Sequence, residues 1–270
     1  KRKSICERLH KSLFLITSSM EDNLKRAWSY LESIGYKPYY LAIYGSQNYN
    51  LDIYDDEYTS DIDYKCIIIP TIDELVRNSK PLSTVVDFEW GQIEIKDIRS
   101  YTESVVKCNV NFLEILCTPY YIWPEFFRRE IKNLMSEMWA FYLKACYGMM
   151  LEKQEALRHP YPSTKDKIAK YWYDPKQLHH IIRLRILVER YIDNDFPSFS
   201  HEWRERDMLI DIKRWYLPNA TVDYLVDSAT EQIKSMRDSY IKEPVFDTKN
   251  RIIEMSYFII KEQICQNLNQ

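Results

Sequence analysis

Between Tyr39 and Ile69 two apolar runs flank a polar, acidic loop. The first, Tyr39–Tyr44, breaks at Gly45-Ser46; the second, Tyr64–Ile69, is opened by Asp61-Ile62-Asp63. Apolar runs of this length, bounded by turn residues, read as strands. Upstream, Ser19-Met20-Glu21-Asp22 has the cap oxygen and first-turn acids of a helix start. Leu24, Ala27, Trp28, Leu31 and Ile34 then recur at helical spacing, and Gly35 is the stop. Downstream the pattern predicts a short helix over Thr71–Val76 and strands over Thr84–Glu89 and Gln92–Ile98. Gly91 is expected in the turn between those strands, and a helix begins near Ser100. Asn109 heads a helix with an apolar face running to Leu116. From Pro124 onward the period is helical: Pro124–Arg158, either continuous or broken once, then Pro175–Ile192, His201–Trp215, Val222–Tyr240 and Thr248–Gln266. Proline-containing stretches connect these helices. The fold class expected is α+β, a mixed-sheet core over residues 1–120 followed by an all-helical lobe over residues 121–270.

Composition narrows the function. The 270 residues carry a net charge of -3, which argues against a uniformly basic nucleic-acid binder and leaves room for a local basic patch. With only 4 glycines in the chain, Gly45 is not filler. The 22 tyrosines and 7 tryptophans serve the core, with some available to stack on bases. The 6 cysteines form no CxxC pair and no zinc spacing, so free thiols in a reducing cytoplasm are expected. The basic start with its brief Leu13-Phe14-Leu15-Ile16 run is too short for a secretory signal, and no run approaches the roughly 20 apolar residues of a membrane span.

The candidate chemistry lies around the two runs. Alternation along a strand sends Asp61 and Asp63 to one side and Ile62 to the other. Two carboxylates so close need a cation or a shared proton, and hard divalent ions take such oxygen ligands. Gly45 lets backbone amides approach an anion, and Ser46 adds a hydroxyl donor. The competing reading is a hairpin with an acidic, solvated loop. Further on, Asp174-Pro175 is a capped helix start. Lys176, His179, His180 and Arg183 follow at the spacing of one helical face, opposite Leu178, Ile181, Ile182 and Val188. By itself such a face reads equally well as an anion site or as a solvated basic surface. Lys165, Lys167 and Lys170 add positive charge upstream, suited to a nucleic-acid backbone or to solubility.

Tyr44, Gly45, Ser46, Leu51, Ser60, Asp61, Asp63, Tyr64 and Lys65 together resemble the nucleotidyltransferase superfamily that includes DNA polymerase beta. Within it the pattern is most similar to the bacterial and phage "predicted nucleotidyltransferase" branch that includes RNA-ligase-associated proteins. The loop between Ser46 and Asp61 is longer than is usual there. Tyr173, Asp174, Lys176, His180, Arg183 and Leu184 match a second pattern of the branch, from which His179 departs. The resemblance implies a Mg²⁺-dependent transfer of NMP from an NTP, ATP favoured, to a hydroxyl, with release of pyrophosphate. Asp61, Asp63 and a third carboxylate would hold two Mg²⁺ ions, with Mn²⁺ able to substitute. Glu94 is the choice for the third carboxylate and Asp97 the competitor, placed at the strand end where it can cap the next helix. Gly45 and Ser46 would grip phosphates; Lys176, with Arg183 second, would hold the triphosphate, and His180 would contact nucleotide or acceptor. The acceptor implied is RNA, a tRNA or an RNA 3′ end. Transfer to a protein or small-molecule hydroxyl is the alternative, as is a catalytically silent nucleotide-binding module.

Overall fold

A computed structural model describes residues 19–54, 59–89, 91–122, 124–192, 203–214, 217–239 and 246–268. Its architecture is α+β, with a mixed sheet in the first part of the chain and helices thereafter. Helix α1, Met20–Ser33, begins where the Ser19 hydroxyl accepts the Asp22 N–H and ends at Gly35, whose φ is +90°. It leads into strand β1, Pro38–Tyr44, which pairs antiparallel with β2, Asp63–Ile68. Helix α2, Ile72–Val76, is closed by a reciprocal Thr71–Glu74 capping box. Strands β3, Ser83–Phe88, and β4, Gly91–Asp97, form a hairpin, and β4 runs parallel to β2. A short strand β5, Tyr121–Ile122, completes the five-stranded sheet, in the order β3-β4-β2-β1-β5. Helix α3, Ile98–Val106, follows β4 directly, two residues earlier than the sequence suggests.

One face of the sheet is apolar and packs with α1. Leu41, Ile43, Ile62, Tyr64, Cys66, Ile93 and Ile95 meet Leu24, Ala27 and Leu31 there. The opposite face carries Tyr40, Tyr44, Asp63, Lys65, Glu94 and Lys96, set by the alternation of β1, β2 and β4. Gly91 is not a turn residue; it opens β4, and Glu89, at φ +46°, lies in the turn before it. A Cβ on Gly91 would stand 1.7 Å from the Ile62 carbonyl oxygen, so only glycine lets β4 lie against the start of β2.

The remaining elements are α4, Val110–Leu113, a 3₁₀ turn over Glu114–Leu116, and α5 to α11. The last seven cover Glu125–Ser136, Trp139–Arg158, Lys165–Tyr171, Pro175–Ile192, Trp203–Arg214, Asn219–Ser239 and Phe246–Leu268. The break between α5 and α6 falls within the long helical stretch expected after Pro124, whereas α7 and β5 were not expected. The expected ends of the Trp203 and Asn219 helices, at His201, Trp215 and Tyr240, lie outside the described residues.

The chain divides into two units. One comprises the chain to Val106, Asn111–Leu134 and Phe246–Gln270; the other comprises Lys107–Val110 and Met135–Val245. This differs from a division at residue 120, because α11 returns to the first unit, where it packs on α3. In the second unit α8 is the central helix, in contact with α6, α9 and α10.

Candidate active site

The register of β1 and β2 sets the site in the first unit. Tyr44 pairs with Asp63, so Gly45-Ser46 emerge from β1 beside the first residue of β2. Gly45, at φ +76°, turns the chain into a single helical turn closed by Tyr49 N–H to the Gly45 carbonyl (3.1 Å) and Leu51 N–H to the Ser46 carbonyl (2.8 Å). These bonds use amides late in the turn; those of Ser46 and Gln47 take no part in closing it. The loop beyond is anchored by Leu51 and Ile53, both buried, and by Ser60, whose hydroxyl accepts the Ile53 N–H (3.0 Å). Gln47 ties the turn to the aspartate pair by donating to the Asp61 carbonyl oxygen (2.7 Å) and to the Tyr54 hydroxyl (3.1 Å).

Strand β2 begins at Asp63, so Asp61 lies in the segment before it, exposed, rather than in the strand. Asp63 is half-buried. Glu94 stands opposite Lys65 across the parallel β2–β4 pair, on the face that Asp63 occupies. Asp97 has the parity of Ile93 and Ile95, is buried, and makes a forked ion pair with the Arg99 guanidinium (2.6 and 3.1 Å). It also accepts the Arg99 N–H (2.8 Å), so it caps α3. The sheet thus brings Asp63 and Glu94 together and sends Asp97 to a structural task.

Lys65, part of the motif, and two residues outside it, Lys96 and Glu114, complete this face. Lys65 is buried; its ammonium donates to the Asn111 carbonyl oxygen (2.6 Å) and to Glu114 Oε1 (3.2 Å). It lies 4.0 Å from Glu94 Oε2 and 3.4 Å from the Tyr44 ring centroid. Lys96 approaches the other Glu94 oxygen at 3.7 Å. Burial lowers the Lys65 pKa from its usual value, and Glu114, Glu94 and Asp63 oppose that shift. Tyr44 moves the other way: burial raises its pKa, and Asp63, Glu94 and Glu114 add to the effect, so its hydroxyl stays protonated. Asn48, also buried, donates to the Glu114 carbonyl oxygen (3.1 Å). Glu114 therefore supports the Gly-Ser turn through its backbone and the carboxylate strand through its side chain. The signal for it in sequence is one acid inside the apolar run Phe112-Leu113-Glu114-Ile115-Leu116.

The donor set suits a hard cation: Asp63 and Glu94 are accessible carboxylates on one face, with Asp61 two residues away. Among the described residues no three His, Cys, Asp or Glu side chains are gathered closely enough to hold a metal ion.

Lys176, His180 and Arg183 belong to the second unit, on α8. Asp174 caps that helix by accepting the Lys176 N–H (3.1 Å). Of the two readings of this stripe, a solvated basic surface is not what α8 presents. Lys176 is exposed, but His179 and Arg183 are buried and His180 is half-buried, because neighbouring helices cover the polar side as well. Burial holds the His180 pKa well below 6.5, and Arg183, His179, Lys176 and Lys153 push it the same way. The imidazole is neutral at pH 7 and surrounded by positive charge.

Among the described residues no helix is long and apolar enough to cross a membrane. No protein-family model matches the chain, and no curated protein matches it. Among solved structures it is similar to a nucleotidyltransferase-like protein from Exiguobacterium sibiricum 255-15, at 11% identity over 82% of this chain and 75% of that one, with a TM-score of 0.28. A likeness of that size leaves the chemistry to be argued from the site itself.

Proposed function

We propose that the chain is a divalent-metal-dependent nucleotidyltransferase that moves an NMP from an NTP, ATP favoured, to a hydroxyl of RNA. One observation carries the reading: the sheet register sets a Gly-Ser turn beside Asp63 and places Glu94 on the same face of the adjacent strand. A phosphate-gripping turn next to paired carboxylates is the equipment of phosphoryl-type transfer. Asp61, Asp63 and Glu94 would hold Mg²⁺, or Mn²⁺ in its place, which when bound supplies Lewis-acid stabilisation of the phosphate charge. The Gly45 backbone and the Ser46 hydroxyl grip the outer phosphates. The acceptor oxygen forms the new bond to the α-phosphorus as the bridging oxygen leaves with pyrophosphate, and Glu94 receives the hydroxyl proton.

The second reading, a catalytically silent nucleotide-binding module, is favoured by the lack of three assembled ligating side chains among the described residues. One set of variants separates the two. Asp63→Asn and Glu94→Gln should each lower transfer of labelled NMP by about 100-fold or more. Each should also weaken Mn²⁺ binding by calorimetry, with the melting temperature of Asp63→Asn no lower than wild type. Label is expected on RNA when the protein meets NTP, Mg²⁺ and total RNA. Full transfer activity in either variant overturns the assignment, and absence of transfer by wild type leaves the silent module.

A further inference from the structure

In the second unit, residues 158–172 leave the helical core and return to it. The excursion is closed at its base by the Asp174 N–H donating to the Leu157 carbonyl oxygen (2.8 Å). Beside that closure Tyr173 is fully buried, its hydroxyl accepting the Leu217 N–H (2.7 Å). What the excursion carries is unlike its base. Trp172 is 69% exposed and Tyr161 44% exposed. The His159 ring packs against Tyr161, with centroids 4.3 Å apart. Lys165, Lys167 and Lys170 all face solvent, against the single acid Asp166. Arg158 is engaged with Asp223 (2.6 Å), and the Lys170 ammonium lies 4.6 Å from the Tyr171 ring centroid.

Trp172 also sits at φ +69°, a left-handed conformation that a bulky side chain rarely adopts. That conformation ends α7, where the Trp172 N–H donates to the Ile168 carbonyl oxygen (2.8 Å) in a left-handed C-cap, and it leaves the indole in water. Exposed rings interleaved with solvated ammonium groups are the equipment of single-strand binding, in which bases stack on the rings and phosphates meet the cations. A duplex offers phosphates but keeps its bases stacked on each other. The geometry points to residues 159–172 as a docking surface for single-stranded RNA, with bases stacking on Trp172 and Tyr161 and the backbone running along Lys167 and Lys170, neighbours three residues apart on α7. This rests on the transferase reading for its biological sense, not for its physical argument.

The test uses the full chain and a short fluorescein-labelled single-stranded RNA, followed by anisotropy without NTP or metal. Trp172→Gly, which suits the backbone, should weaken binding about 10-fold or more, while Trp172→Phe keeps most of it. Replacing Lys167 and Lys170 together by Gln should reduce the slope of log affinity against log salt by about 1.4. Wild-type affinity in Trp172→Gly overturns the surface. So does equal affinity for a blunt duplex, or Trp172-dependent binding to phosphatidylglycerol vesicles without binding to RNA. Strand binding without NMP transfer by wild type would refute the transferase and leave the surface standing; transfer to RNA that ignores Trp172→Gly would do the reverse.

Discussion

Lys65 is an ammonium taken out of water, and its surroundings show what that requires. Glu114, itself buried, supplies the counter-charge, Asn111 a carbonyl oxygen and Tyr44 a ring face. Removing one partner of such a pair strands the other charge. Lys65→Met should therefore cost about 3–5 kcal/mol in urea denaturation. Pairing it with Glu114→Leu should restore most of that stability; a double variant as unstable as the single one would show that the pair is not the cause. Asp63 and Glu94 could be read in the sequence because each alternates with apolar neighbours, and strand pairing preserves that alternation. Glu114 could not, because its partner is 49 residues away and nothing local marks it as buried. Gly91 was misplaced for a similar reason: its constraint is the Ile62 carbonyl, which belongs to another strand.

At the scale of elements, caps and starts were legible and environments were not. Ser19, Gly35, Thr71 and Asp174 terminate or begin helices through bonds to residues two to four positions away, which the sequence displays. The exposure of α8 depends on the helices around it, so the stripe of Lys, His and Arg left a solvated reading open although two of its members are buried. His180 makes this measurable. Its pKa in the folded protein is well below the 6.5 of the unfolded chain. Between those values the unfolded state holds the extra proton, so the stabilising contribution is complete above pH 6.5 and is lost as the pH falls. The slope is at most about 1.4 kcal/mol per pH unit. Denaturation from about pH 7.5 down to about pH 5 should show it, and His180→Asn should be flatter by up to one proton. An unchanged slope in the variant would place the imidazole in water.

At the scale of the molecule, the sequence separates a sheet half from a helical half, and the contacts redraw that line. Helix α11 ends the described chain yet packs on α3 in the first unit. A chain stopped before Phe246 should lose amide protection in α3 by hydrogen exchange while keeping it in α8. Equal protection in both would mean that the first unit does not depend on its last helix. The return of α11 also orders events on the ribosome. The sheet strands and helices α6 to α10 emerge first, and α3 lacks its α11 contacts until Phe246–Leu268 has been made. A nascent chain would thus carry the excursion proposed to dock RNA before α3 had its cover.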